Sequence, residues 1–266
     1  MLSLRPLRLF DVTLRDGLQS LPKIFSLAEK KDLLHQIIRD HAPQALEVGS
    51  LVSPKVLPQM SDSLALYTYA QRKYASDGAA FYLLVPSTEK YISYARANGV
   101  KNIALITSVS ETFQQKNIRQ SLAQTKALLA KCTGDFDQVK LYISCITQCP
   151  LVGPQDLTHI VREIQGYTEM PGLTELCLSD TCGSLTAQDF QTILAGDLDP
   201  EKLSLHLHVN PSALSEVGKI LTAAREKGIY RFDVNAVAEA GGCSVTMNPA
   251  AMFGNLTYAQ LRAGLL

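Results

Sequence analysis

A closed (β/α)8 barrel is the fold that the amino-acid sequence predicts, and three observations predict it. Short apolar runs rich in β-forming residues alternate with longer amphipathic stretches along the chain, the pattern of a parallel sheet with helical crossovers. Eight such runs can be counted in the 266 residues. Eight βα units in about 250 residues suit a barrel, whereas open doubly wound sheets usually hold about five to seven strands.

The elements follow in order. The first strand is expected at Leu7–Leu14, and its helix at Ser26–Asp40 opens on Ser26 with Glu29 three residues later, a capping box. Ala45–Leu51 and the helix Ser61–Tyr74 come next, then Ala80–Val85 with Ser87–Asn98, which Gly99 should stop. Asn102–Ser108 precedes a helix over Lys116–Lys131, and Val139–Cys145 precedes one over Gln155–Gly166. Thr174–Asp180 leads to Ala187–Ala195. Leu203–Val209 leads to Ser212–Lys227, which Gly228 should stop, and Tyr230–Ala236 is the eighth strand. A last helix is expected from near Leu256. No linker, low-complexity segment or longer repeat interrupts this alternation, so residues 1–266 read as one barrel domain.

Composition narrows the partners. The 25 Lys and Arg balance 25 Asp and Glu, and no basic run is present to displace counterions, which argues against nucleic acid or an acidic membrane as the partner. The longest apolar run, Ala79 to Val85, has seven residues, far short of the ~18 to 20 that cross a bilayer. No targeting segment is visible, so a cytoplasmic setting is expected. The six cysteines, at 132, 145, 149, 177, 182 and 243, are too sparse for a disulfide scaffold and are expected as thiols. A small molecule is the expected partner.

In a barrel, chemistry gathers at the C-terminal ends of the strands. Polar residues there are Arg15 and Asp16 after the first strand, Glu47 and Ser50 in the second, Asp180 and Thr181 after the sixth, and His206 and His208 in the seventh. The i, i+2 spacing of His206 and His208 puts both imidazoles on one face of a strand, a chelating arrangement. A lone His-x-His is more often a pair of satisfied histidines, but Asp16 at the same mouth offers a carboxylate, and a hard divalent cation takes such oxygen and imidazole ligands. Arg15 and Asp16, adjacent in sequence, are expected to point in different directions. Gly241 and Gly242 permit a tight loop that could carry the Cys243 thiol over the mouth, although a cysteine in a turn is by itself more often a small buried residue. Cys145 and Cys149 are read as structural.

These residues carry a resemblance. The chain resembles the 3-hydroxy-3-methylglutaryl-coenzyme A (HMG-CoA) lyase family, within the metal-dependent lyase, aldolase and acyl-CoA condensing barrels that share an Asp-x-Thr-Leu-Arg-Asp-Gly opening. The matching segments are Thr13 to Gln19, Glu47 to Met60, Lys116 to Ile118, Tyr142 to Cys145 with Cys149 and Pro150, Asp180 and Thr181 with Gly183, His206 and His208, Gly241 to Cys243, and Gly254 to Leu256. The opening and the His-x-His pair fit the whole group. The stretch around Ser53-Pro54-Lys55 and the Gly-Gly-Cys loop point to the lyase branch.

The resemblance implies cleavage of HMG-CoA to acetyl-CoA and acetoacetate. It implies that Asp16, His206, His208 and Asn255 bind Mg2+ or Mn2+, with Asn248 the alternative to Asn255. Cys243 would transfer a proton, Arg15 would face the developing oxyanion, and Glu47, Asp180 and His206 would join the catalytic group. Gln19, Ser50 and Lys55 are expected as cofactor-binding residues, with an acyl-CoA as the small-molecule substrate and a homodimer as the oligomer allowed for. Departures from the family pattern are Val209 where an Asp usually follows the His-x-His pair, a segment after Cys243 three residues longer than usual without inner glycines, Ala259 in place of a Glu, and a shortened C-terminal region. Two other readings stay open: a relative acting on another 3-hydroxy-acyl thioester or hydroxy-acid, and a catalytically silent metal-binding barrel.

Overall fold

Eight parallel strands close into a barrel in the computed structural model, which describes residues 5–238, 240–242 and 252–265. The strands are β1 (Arg8–Asp11), β2 (Ala45–Ser50), β3 (Ala80–Leu84), β4 (Asn102–Ser108), β5 (Gln138–Ser144), β6 (Glu175–Asp180), β7 (Leu203–Leu207) and β8 (Arg231–Val234). Closure comes from the parallel pairing of β1 with β8, Arg8 opposite Arg231 through Asp11 opposite Val234. The surrounding helices are α1 (Leu27–His41), α2 (Ser63–Lys73), α3 (Glu89–Ala97), α4 (Glu111–Ile118), α5 (Leu122–Cys132), α6 (Leu157–Thr168), α7 (Ala187–Leu194), α8 (Leu214–Glu226) and α9 (Tyr258–Gly264).

Strand alternation sorts the residues into two layers. Outward-facing side chains such as Leu46, Ile103, Leu141, Leu178 and Leu205 pack under the helices in the main core. Inward-facing ones fill the lumen, where Phe10, Val12 and Tyr82 form one small cluster and Ala104, Tyr142 and Cys177 another. The register stacks the lumen in levels. Lys140 lies opposite Glu175, Tyr142 opposite Cys177 and Cys177 opposite Ser204; Ser144 lies opposite Ser179 and Ser179 opposite His206. Charged residues in strands whose other faces are apolar are therefore buried inside the barrel.

The local signals act as expected in several places. Ser26 and Glu29 form the capping box of α1, and Gly99 and Gly228 follow α3 and α8 with φ of 67° and 87°. Two expectations need correction. The single helix over Lys116–Lys131 is two, because Arg119 takes a left-handed conformation after α4 and Ser121 with Gln124 makes a new capping box for α5. The first strand ends at Asp11, not Leu14: the Asp11 carboxylate accepts from the Thr13 amide at 2.9 Å and from its hydroxyl at 3.0 Å, turning the backbone out of the strand. A two-stranded ribbon, Gln148–Cys149 with Gly153–Pro154, follows β5 in the chain and has no counterpart among the expected elements.

Candidate active site

The turn after β1 decides where the first acid and the arginine go. Thr13–Gly17 forms one turn of wide π-helix, all five residues buried. It corrects the expectation that Arg15 and Asp16 diverge: Arg15 Nη1 donates to Asp16 Oδ1, and Arg15 Nε donates to Glu47 Oε2. The pair is buried in the lumen and is no surface ion pair. These two bonds to carboxylates use Nη1 and Nε of the guanidinium.

His206 at the end of β7 and His208 just beyond it face the same carboxylate. Each Nε2 lies 3.6 Å from Asp16 Oδ2, and ligand atoms of Asp16, His206 and His208 all lie within 4.8 Å of one another. The opposite nitrogens are fixed from behind. His208 Nδ1 donates to the Asp180 carbonyl at 2.8 Å, and His206 Nδ1 to Asp233 Oδ2 at 3.1 Å. Acceptors on the Nδ1 side leave the Nε2 lone pairs for a cation, the arrangement common behind metal-bound histidines.

Asn255 arrives from the other end of the chain. It forms an isolated antiparallel bridge with His208, and its amide donates to the Ala240 carbonyl at 2.9 Å. Neither polar atom of its side chain has a hydrogen-bond partner although both are buried, and His208 Nε2 is equally unpartnered. Buried polar atoms are rarely left so, and a bound cation would satisfy them; one carboxylate, two imidazoles and an amide oxygen are a donor set that a hard divalent cation accepts. Gly241 allows this packing. A Cβ there, at φ 133°, would lie 2.5 Å from the Asn255 side chain.

The charges are coupled. Burial alone would push the Asp16 carboxyl up, but the Arg15 guanidinium and both imidazoles outweigh it and hold that carboxyl well below the usual range. Burial lowers the His206 imidazole, yet Asp16 and Asp233 carry it up to about 9 in the metal-free protein. Burial dominates at Glu47, whose carboxyl is raised despite the adjacent Arg15.

The remaining expected residues divide. Gln19 Nε2 donates to Asp16 Oδ1 at 3.2 Å and to the Gly242 carbonyl at 2.9 Å, tying the Gly-Gly turn to the site. Ser50 lines the cavity beside Arg15, whereas Lys55 is exposed in the turn beyond β2 and does not line it. The Asp180 carboxylate accepts from the Ser184 and Leu185 amides at 3.1 and 3.0 Å, so its link to the site is its backbone carbonyl. Cys243 and Asn248 lie outside the described residues.

A cavity of about 170 Å3 opens over these groups. Its floor is polar, formed by Arg15, Asp16, His206 and His208, and its wall is apolar, with Val52, Leu84, Ile106, Phe113 and Ile118. Sequence reasoning assigned no role to three groups that the lumen brings in. Tyr142 donates to Glu47 Oε2 at 3.3 Å, with its ring 5.3 Å from the Arg15 guanidinium and 5.5 Å from the His206 ring. Asp233 and Lys140 lie beneath His206. The available signal was a charge within an apolar strand, Lys140 in VKLYIS and Asp233 in RFDV.

Comparison with known proteins agrees with this geometry. A family model described as HMGL-like matches residues 6–238. The chain is 31% identical over 250 residues to a 3-hydroxy-3-isohexenylglutaryl-CoA/hydroxy-methylglutaryl-CoA lyase of Pseudomonas aeruginosa, covering 90% of this chain and 79% of that one. It is 27% identical over 241 residues to the hydroxymethylglutaryl-CoA lyase YngG of Bacillus subtilis, covering 88% and 77%. Among solved structures, an HMG-CoA lyase from Brucella melitensis superposes with a TM-score of 0.82 at 26% identity, covering 98% of this chain and 90% of that one. An HMG-CoA lyase from Acinetobacter baumannii, in complex with coenzyme A and 3-methylmalate, also gives 0.82 at 26% identity, covering 97% and 82%.

Proposed function

The chain belongs to the HMGL-like family, and from that premise we propose that it is a lyase cleaving HMG-CoA to acetyl-CoA and acetoacetate with Mg2+ or Mn2+. The observation that carries the reading is the convergence of Asp16, His206 and His208 on one point beside Arg15 at the barrel mouth. Asp16, His206, His208 and Asn255 would hold the cation. When bound, it supplies Lewis acidity that holds the substrate hydroxyl and lowers its pKa.

The residues account for the rest of the reaction. Breaking the bond between C2 and C3 of the acyl chain leaves an enolate on the thioester, so a donor is needed where negative charge grows. Arg15 lines the cavity and would turn Nη2 to that oxygen, while Glu47 and Asp16 hold Nε and Nη1. The hydroxyl proton passes to the Asp16 carboxylate, whose Oδ2 lies 3.6 Å from His206 Nε2. Cys243 returns a proton to the enolate carbon. Glu47 and Tyr142 orient Arg15, and Asp180 orients His208 through its carbonyl. Gln19 braces Asp16 and the Gly-Gly turn. Ser50 contacts the acyl part, and Lys55 at the rim meets the phosphates of coenzyme A. The same proposal includes a cytoplasmic setting and a homodimer; among the described residues no helix is long and apolar enough to cross a membrane.

A second reading has specific support. The apolar cavity wall and the name of the Pseudomonas aeruginosa relative favour activity on 3-hydroxy-acyl thioesters with a longer apolar substituent at C3. One assay tests both readings: purified protein with Mg2+ or Mn2+ is given HMG-CoA or its longer-chain analogue, and acetyl-CoA and the released oxo-acid are measured. Release of neither product from HMG-CoA rejects the first reading.

A further inference from the structure

We propose that Lys140 is a positioning residue for the metal seat, acting through Asp233 on His206. The inference rests on the proposed divalent cation at Asp16, His206 and His208. Lys140 Nζ lies 2.5 Å from Asp233 Oδ1 and 2.6 Å from Glu175 Oε1, and the other oxygen of Asp233 accepts from His206 Nδ1 at 3.1 Å. Lys140 and Asp233 are each 1% exposed at the side chain. The ammonium also sits 3.9 Å from the centre of the Phe10 ring and 3.4 Å from Ser204 Oγ. A continuous line of polar contacts thus runs up the lumen from Glu175, through Lys140 and Asp233, to the imidazole whose far nitrogen faces Asp16.

A buried ion pair by itself adds little stability, because desolvating two charges offsets their attraction, and an apolar pair often does as well. The lumen around this pair is already filled by apolar groups such as Phe10 and Ala104. Direction is what the pair adds. Without Lys140, Asp233 keeps only His206 Nδ1 and the weak donor Cys177 Sγ at 3.8 Å, both on one oxygen, and a carboxylate so held can rotate about its last bond and present either oxygen to the histidine. With Oδ1 held by Lys140, Asp233 keeps Oδ2 on His206 Nδ1, which fixes the ring with Nε2 toward Asp16 and His208. Lys140 touches neither the cavity nor the seat, and its effect passes through Asp233.

The test is Mn2+ binding to the metal-free full-length chain, read from the loss of the free Mn2+ electron paramagnetic resonance signal, with thermal melting of each variant as the check on folding. K140M should weaken Mn2+ binding by about 10- to 100-fold, the range typical of groups that support a metal ligand. K140R, which keeps the cation beside Asp233, should restore it to within a few-fold. If the effect passes through Asp233, K140M should weaken binding no further once D233N is present. The double variant leaves neither partner as an uncompensated charge, so its comparison with D233N decides the question even where K140M alone does not fold. Wild-type affinity in folded K140M, or an equal further loss from K140M in the D233N background, overturns the role of Lys140 alone. A wild type that takes up no Mn2+ overturns the metal reading together with this one.

Discussion

His208 Nδ1 donates a 2.8 Å hydrogen bond to the backbone carbonyl of Asp180, so the sixth strand's main chain, not its carboxylate, aims the second histidine at Asp16. The Asp180 carboxylate is occupied elsewhere, with the amides of Ser184 and Leu185. Asp180→Ala is therefore expected to cost about 1 to 3 kcal/mol of stability by leaving those amides unpaired, while Mn2+ affinity stays within a few-fold. Urea unfolding beside a Mn2+ titration checks both; a loss of metal binding without a loss of stability would contradict the assignment.

Removal of a ligand should behave in the opposite way. Mn2+ at about a hundred times its Kd should stabilise the wild type by about 2.7 kcal/mol, since only the folded chain holds the seat. His208→Ala should erase that gain, together with lyase activity. Melting with and without Mn2+ measures it, and an undiminished shift in the variant would place the ion elsewhere.

Arg15→Lys should keep the fold and the metal but lose about 2 to 4 kcal/mol of transition-state stabilisation, because a single ammonium cannot hold Asp16 and Glu47 and still face the oxyanion. The measurement is kcat/KM on HMG-CoA alongside Mn2+ affinity. Unchanged turnover would remove Arg15 from the reaction.

Cys243→Ser should leave metal binding intact and depress kcat far more than KM, since proton delivery is needed in the transition state rather than in substrate binding. Single-turnover rates, compared with multiple-turnover rates, report the chemical step directly. An equally active Ser variant would remove Cys243 from the reaction.

Asp11 gives a pH signature away from the metal. Burial pushes its carboxyl up to about 6 from the ordinary 3.8, despite hydrogen bonds from Tyr258 Oη at 2.8 Å and from Thr13. Between those values the folded chain keeps a proton that the unfolded chain has lost, so this group's contribution to stability falls as pH rises from about 4 to about 6. The shift of about two units corresponds to about 3 kcal/mol. Asp11→Asn carries no such titration, so wild type should gain on the variant by up to that amount as pH drops through the window. Urea unfolding at pH 7, 5.5 and 4.5 reads the difference, and a constant difference would contradict the raised carboxyl.

The local code determined most of the frame. Apolar runs of strand length marked the barrel strands, the Ser26–Glu29 capping box opened α1 as expected, and the period of two placed His206 and His208 on one face. Their direction into the lumen follows once the sheet closes. Local signals also misled where two competed in a short space: over 116–131 the helical pattern hid the Ser121 and Gln124 cap that starts a second helix.

Only the tertiary structure decided how charges meet. Arg15 and Asp16 share a direction because the chain leaves β1 in a wide helical turn, a geometry that adjacency in sequence does not reveal. Asn255 reaches His208 through a bridge between distant segments, and Lys140 meets Asp233 across 93 positions. Such pairs form because the closed parallel sheet gives an inward-facing charge no water, leaving another inward-facing charge as its partner. Residue type and alternation showed which groups would be buried; strand order and register determined which would touch.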